Sequence, residues 1–474
     1  MQRIIVLFFS VCLAFSTVQA QEDPDLKDAF RLIDTWLDAQ NDYDRLPGIS
    51  IALVMDQDII FSKGYGFSDV EANNPTQTNT IYSICSISKL FTAISIMQLR
   101  DAGKLSLEDE VSDILPWFTL KQTHEDSGPI TVRALLTHSA GVPRQSNYPY
   151  WTGPEFDFPT IDQIKAQIND METLYPASTF FQYSNFGMSI LGEIIAELSG
   201  MSYEEYVQKN ILKVLDLSDT RPNMPKELKN GQLATGYSAL DRKGNRTAVD
   251  LFFTDGVTSA AGFTSTVEDL AVFASWQFRL LENGGEEILK SSTLKEMQRV
   301  HWMEPNWKLS WGLGFSVRNV DGNTEVGHGG SCPGYRTQFV MIPKYKFASI
   351  AMINAGGESP RRYLSGIGDI ISKAMDAKRT ELPEGINLED YAGFYDAQPW
   401  GSEQIILPWY GDLLDMGLPS GNPASFTLYK HIEGDTFRRK RPDGELGEEL
   451  TFMRNDNGKV IKMLSHQNYA TKIQ

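Results

Sequence analysis

Two groups of strand-like runs bracket a long stretch that has almost none, and this limits the folds open to the chain. Gly48 to Val54 and Ile59 to Tyr65 are apolar, β-branched runs split by Asp56-Gln57-Asp58, a pattern that predicts a hairpin. Comparable runs return only at Leu313 to Val317, Arg336 to Ile342 and Phe347 to Ile353. From Leu105 to about Met303 the chain reads as helical segments joined by polar, Pro-rich loops. These include a short helix near Val132 with Thr131 as N-cap, Met188 to Leu198 closed by Ser199-Gly200, and Asp269 to Leu281. Helical periods at Leu26 to Leu37 and Ile367 to Ala377 flank the whole. One arrangement accommodates this order: the early and late strands pair in one antiparallel sheet flanked by helices, with a mainly helical region inserted beside it. That is an α/β (α+β) fold, and the crevice between sheet and insertion is the expected site.

Beyond Leu382-Pro383-Glu384-Gly385 the texture changes to short alternating runs, at Tyr391 to Tyr395, Glu403 to Leu407, Leu413 to Met416, Phe426 to His431, Glu449 to Arg454 and Val460 to Leu464. Their spacing predicts a small antiparallel β-barrel over 386–474. At the other end, Arg3, the apolar run Ile4 to Phe15 and the small residues closing Val18-Gln19-Ala20 read as a secretory signal over 1–20. The apolar run is shorter than the roughly 18–20 residues a membrane span needs, so export to a periplasm or the exterior is expected, with no stable span. The remaining 21–380 forms the first folded unit.

A formal charge of −18 argues against nucleic acid as a partner, which demands clustered Lys and Arg. Once Cys12 leaves with the signal, Cys85 and Cys332 remain, each beside a motif described below. An exported compartment permits a bridge, but two buried free thiols are the simpler reading. No paired CxxC and no HExxH occurs, so no metal is expected.

Chemistry concentrates at Ser83-Ile84-Cys85-Ser86-Ile87-Ser88-Lys89, which opens an apolar helix running to Leu99. If the helix begins at Ser86, Ser86 and Lys89 lie three residues apart on one face, a hydroxyl beside an amine. The same spacing recurs at Ser292 and Lys295, which read as an exposed helix start, so spacing alone does not distinguish a nucleophile from an N-cap. Two further stretches do. Tyr183-Ser184-Asn185 places a phenol and a carboxamide at a helix start, and Gly327-His328-Gly329-Gly330-Ser331 precedes the late hairpin, its glycines open to close approach by a substrate backbone. His138 reads as a loop-bracing residue.

Ser86-Ile87-Ser88-Lys89, Tyr183-Ser184-Asn185 and His328-Gly329-Gly330 stand in the order of the three signatures of penicillin-recognising serine hydrolases. With Tyr-x-Asn and His-x-Gly the chain resembles their class C-like branch, which holds class C β-lactamases, D-Ala-D-Ala carboxypeptidases, D-aminopeptidases and β-lactamase-like esterases. Pro47-Gly48-Ile49-Ser50, Leu135 to Gly141, Ala260 to Ser265 and Trp311-Gly312-Leu313-Gly314 support the likeness, and the tail opening at Tyr391-Ala392-Gly393-Phe394-Tyr395 resembles the lipocalin-like domain that some members append.

The resemblance implies Ser86 as the acylated nucleophile, Lys89 accepting or positioning its proton, and Tyr183 sharing the base role and activating water. It further implies Asn185, His328, Gly330 and Ser331 as substrate-binding residues, and the N–H groups of Ser86 and Ser331 as an oxyanion hole. Three departures stand out, one of them Ala177, where a glycine usually precedes the Tyr-x-Asn loop. His328 replaces the lysine of class C β-lactamases, making that cation conditional on pH, and Cys85 stands where glycine often precedes the serine. The function implied is an exported acyl-enzyme serine hydrolase, an amidohydrolase or peptidase on small D-amino-acid-containing or cell-wall-derived amides, chemistry that needs no organic cofactor. A carboxylesterase on the same scaffold and a non-catalytic penicillin- or peptide-binding protein are the alternatives.

Overall fold

A computed structural model describes residues 25–473. The expected secretory signal lies outside them. The first helix, α1 (Lys27–Tyr43), leads into the hairpin β1 (Gly48–Met55) and β2 (Asp58–Asp69). A short 3-10 turn, Cys85–Ile87, then runs into α2 (Ser88–Asp101). The helical insertion contributes α3 (Asn185–Ser199) and α4 (Val267–Asn283). The chain returns to the sheet through β3 (Ser316–Val320), β4 (Asn323–Cys332), β5 (Tyr335–Ile342) and β6 (Phe347–Ile353), and ends this unit with α5 (Pro360–Met375).

The sheet has nine strands, in the order Asn74–Pro75, β2, β1, β6, β5, β4, β3, Ser310–Trp311, Trp302–Met303. Its centre is the pairing of β1 with β6, antiparallel from Ile49 opposite Ile353 to Met55 opposite Phe347. The early and late strands therefore share one sheet, and both of its faces are covered. Ile49, Ile51 and Leu53 of β1 join Ala351 and Ile353 in a core completed by α1 and α5. Ala52 and Val54 join Ala348, Ile350 and Met352 in the larger core under the insertion. This is the alternation that a two-sided strand requires. Within the larger core α2 is buried almost all round, including Lys89, as a central helix must be.

Several boundaries moved. Ser86 lies in the 3-10 turn and not at the start of the α-helix. Gly327 to Ser331 does not precede the hairpin but is itself part of β4; three glycines hid a strand that is held by pairing and not by propensity. The run at Leu313 to Val317 becomes a turn with β3 starting at Ser316, since Gly314 adopts a φ of 80°. Ser292 and Lys295 lie exposed on the short helix Ser291–Met297, as read from the sequence.

The tail closes into an eight-stranded antiparallel barrel: β7 (Gly393–Asp396), β8 (Glu403–Trp409), β9 (Asp412–Leu418), β10 (Thr427–Glu433), β11 (Thr436–Lys440), β12 (Leu446–Arg454), β13 (Val460–Ser465) and β14 (Asn468–Lys472). Side chains fill its interior, among them Tyr391, Tyr395, Ile406, Leu413, Phe437 and Phe452. Alternate residues of β8 and β9, including Ile405, Leu407, Leu414 and Met416, point outward into the core shared with α1 and α5. Trp36 Nε1 also donates to Ser420 O at 3.0 Å, and Tyr410 N to Asp28 at 2.7 Å. The barrel wall thus serves as the outer layer of the sheet's helical face.

Candidate active site

The turn at Cys85 aims the site. Cys85 has a φ of 52°, a left-handed conformation rare for a residue with a side chain. The turn is pinned on both sides: Ile84 N donates to Phe263 O at 2.9 Å, Ser88 Oγ accepts from Phe263 N at 3.0 Å, and Thr337 Oγ1 on β5 donates to Ile84 O at 3.1 Å. Gly330 makes this approach possible, because a Cβ there would lie 2.3 Å from Ile84 O. Its missing side chain serves the packing of β4 against the Ser86 turn.

Lys89 reaches three oxygens, Ser86 Oγ at 3.2 Å, Asn185 Oδ1 at 2.8 Å and Ala260 O at 2.7 Å. Complete burial, helped by the positive charge of Arg144, holds its amine well below the usual lysine range. A neutral amine has two N–H bonds and one lone pair. In that form, with the carboxamide and the carbonyl accepting both hydrogens, the lone pair is free for the Ser86 O–H; as an ammonium the same nitrogen donates to all three oxygens. Tyr183 lies against the same hydroxyl: burial pushes its phenol up, while the hydrogen bond with Ser86 and the nearby Arg144 pull it back. The Tyr183 ring packs between His138, 4.3 Å away centroid to centroid, and the Lys89 nitrogen and Arg144 guanidinium, each 4.9 Å from its centroid.

Asn185 is set by the start of α3. Ser184 caps the helix by accepting from Gly187 N at 2.7 Å, Asn185 N donates to Arg144 O at 2.9 Å, and Ser184 N donates to His138 Nδ1 at 3.3 Å. With its amide oriented to satisfy both neighbours, Gln145 accepts from Asn185 Nδ2 and from Trp151 Nε1, each at 3.0 Å. His328 on β4 is buried and donates from Nδ1 to Gly329 O at 2.6 Å. Burial, reinforced by Lys89, carries its pKa down to about 3. The charge that the sequence made conditional on pH is therefore absent at neutral pH, and this imidazole is a neutral dipole. Ser331 and Ser86 line the same cleft of about 520 Å³ together with Arg144, Gln145, Asn185 and Arg336.

The structure thus brings Ser86, Lys89, Tyr183, Asn185, His328, Gly330 and Ser331 into one place from three separate segments. It also corrects one expectation: Cys85 and Cys332 are joined by a disulfide, with Cα atoms 5.7 Å apart, because β4 carries Cys332 back against the turn.

The family model described as Beta-lactamase matches residues 33–366, well over half of the chain. The chain belongs to the beta-lactamase family. Members of that family are generally serine hydrolases. "Beta-lactamase-like protein 2" of Dictyostelium discoideum is 25% identical over 450 residues, covering 91% of this chain and 79% of the relative. "Protein flp" of Staphylococcus aureus (strain MRSA252) is 25% identical over 339 residues, 70% of this chain and 64% of that protein. Among solved structures, the octameric penicillin-binding protein homologue from Pyrococcus abyssi superposes with a TM-score of 0.65 at 27% identity, covering 94% of this chain and 100% of that one. A D-stereospecific amidohydrolase from Streptomyces sp. resembles this chain in fold, with a TM-score of 0.59 at 22% identity, over 75% of this chain and 100% of that one.

Sequence reading missed Arg144, Gln145 and the carbonyl of Ala260 as parts of this site. For the first two a signal existed, since Val142-Pro143-Arg144-Gln145 directly follows the supporting stretch ending at Gly141. The third is backbone, and only its position reveals it.

Proposed function

We propose that this protein is an exported acyl-enzyme serine hydrolase, an amidohydrolase or peptidase acting on small amides that contain D-amino acids or derive from cell walls. The observation that carries the reading is the Lys89 nitrogen 3.2 Å from Ser86 Oγ, with its two other contacts both acceptors. Ser86 attacks the carbonyl carbon as its proton passes to Lys89 or, through the shared hydrogen bond, to Tyr183. The N–H groups of Ser86 and Ser331 receive the developing oxyanion, where one such donor is worth roughly 2.7–4 kcal/mol. Tyr183 returns the proton to the leaving amine and then activates water against the acyl-serine. Asn185 orients Lys89 and the substrate amide. The shared fold of the Streptomyces D-stereospecific amidohydrolase supports the choice of substrate class.

A carboxylesterase is the second reading, favoured by the neutral His328, which leaves the third motif without a fixed cation for a substrate carboxylate. A purely binding protein has no use for the proton-transfer set. Incubation with a fluorescent penicillin, a nitrophenyl ester and a D-alanyl peptide, beside Ser86→Ala, tests these readings. Turnover of the peptide that disappears in the variant is expected. An ester turned over far faster than any D-peptide selects the esterase, stable labelling without turnover selects the binding protein, and wild-type turnover by Ser86→Ala overturns the nucleophile.

A further inference from the structure

The disulfide occupies an unusual place. Cys85 immediately precedes Ser86, and Cys332 immediately follows Ser331, so the bridge joins the direct neighbours of the two residues whose N–H groups form the oxyanion hole in the reading above. Both half-cystines are buried, at 0% and 4% exposure. The turn and β4 meet here from opposite directions: Ser86 belongs to the 3-10 turn before α2, whereas Ser331 sits one residue from the end of β4. Thr337 on β5 ties down Ile84, but among the described residues no hydrogen bond runs directly between residues 85–86 and 331–332. The spacing of the two N–H groups is therefore held at this point by the covalent link.

We propose that the Cys85–Cys332 bridge is a positioning device for the oxyanion hole, fixing the N–H of Ser86 relative to that of Ser331. This rests on the acyl-serine reading. A hole made of two donors on separate elements stabilises a transition state only while their separation is fixed, since displacement of about 1 Å at a reacting centre costs on the order of 10²-fold in rate. Cys85 also supplies a direct test of whether the bond or the backbone matters. At a φ of 52° glycine is the easier residue, so Cys85→Gly removes the bridge while relaxing the turn. Cys332→Ser removes the same bond from the strand side and leaves the turn untouched.

Mass spectrometry of a non-reduced digest of the wild-type protein should recover the peptides of Cys85 and Cys332 linked. Steady-state turnover of a nitrophenyl ester and inhibition by phenylboronic acid, whose serine adduct places a hydroxyl where the oxyanion forms, are then measured for Cys85→Gly, Cys332→Ser and Ser86→Ala, with thermal melting as the check on folding. In both cysteine variants kcat is expected to fall about 10–100-fold, KM to change little, and boronate affinity to fall in parallel with kcat. A bridge that only stabilises the fold would lower the melting temperature and leave kcat and boronate affinity as they were. Unlinked cysteines in the wild type, or folded Cys85→Gly with wild-type kcat and boronate affinity, overturn the assignment alone, because Ser86→Ala is then still inactive. Should either cysteine variant fail to fold, reduction of the wild type with a phosphine, followed by alkylation and the same two assays, gives the decisive comparison. Wild-type turnover by Ser86→Ala instead overturns the acyl-serine reading, and the bridge's assignment with it.

Discussion

The guanidinium of Arg144 lies 4.9 Å from the centre of the Tyr183 ring and has no carboxylate partner among the described residues. Its backbone carbonyl meanwhile accepts from Asn185 N, so one residue both anchors the start of α3 and places positive charge beside Lys89 and Tyr183. That charge disfavours the ammonium form of Lys89 and favours the phenolate form of Tyr183.

Arg144→Met should therefore let Lys89 take up its proton more readily. With the amine acting as a base that must be deprotonated, the acid limb of the kcat/KM pH profile moves to higher pH. A profile of ester turnover in the two proteins checks this, and an unmoved limb would show that burial alone sets the state of Lys89.

Lys89→Ala should lower kcat/KM by about 10²–10⁴-fold, the usual contribution of a positioned proton acceptor. Ser292→Ala, on the exposed pair that shares the same spacing, should leave turnover unchanged. Steady-state kinetics on one substrate at constant pH separates the two.

His328 should register in stability before it registers in rate. Its ordinary pKa of 6.5 falls to about 3 in the folded protein, so between these values the unfolded chain binds more protons than the folded one. Stability from this group is complete above about pH 6.5 and is lost as the pH falls toward 3. The drop in melting temperature between pH 7 and pH 4 is expected to be smaller in His328→Gln than in the wild type, with the remaining drop shared by other groups, including the buried His138, whose pKa is also depressed.

Leu414→Ala should cost about 2–5 kcal/mol, the range for a fully buried leucine. Leu414 points from the barrel into the core of α1 and α5, whereas its neighbour Leu413 points into the barrel. A joint layer predicts that Leu414→Ala lowers the melting of the whole chain as one transition. Calorimetry that resolves two transitions, with only the smaller displaced, would show instead that barrel and hydrolase unit unfold independently.

The sheet was readable because its central strands alternate on both faces and differ sharply from the helical insertion. Ser86, Lys89, Tyr183 and Asn185 could be picked out because their motifs stand in the order of a known family's signatures, and the fold sets Lys89 against both Ser86 and Asn185. β4 was not, since Gly327, Gly329 and Gly330 have no strand propensity and the strand exists through its partners. In the barrel, β11 and β14 went unread because Arg438, Arg439 and Lys440, or Asn468 and Lys472, hide a single inward-facing residue in each alternation. The bridge and the neutrality of His328 depend on what lies next to each group across the fold, and no local pattern encodes that.

The pairing of β1 with β6 joins segments separated by about 300 residues, the kind of contact that forms slowly because the intervening loop must close first. A nascent chain released before Ile353 would hold the serine, the amine and the phenol yet have no strand to shut the sheet over them. Closure of the sheet around these residues is thus deferred until about three-quarters of the chain has been made, and a truncated product should be a substrate for proteolysis and not an unguarded hydrolase.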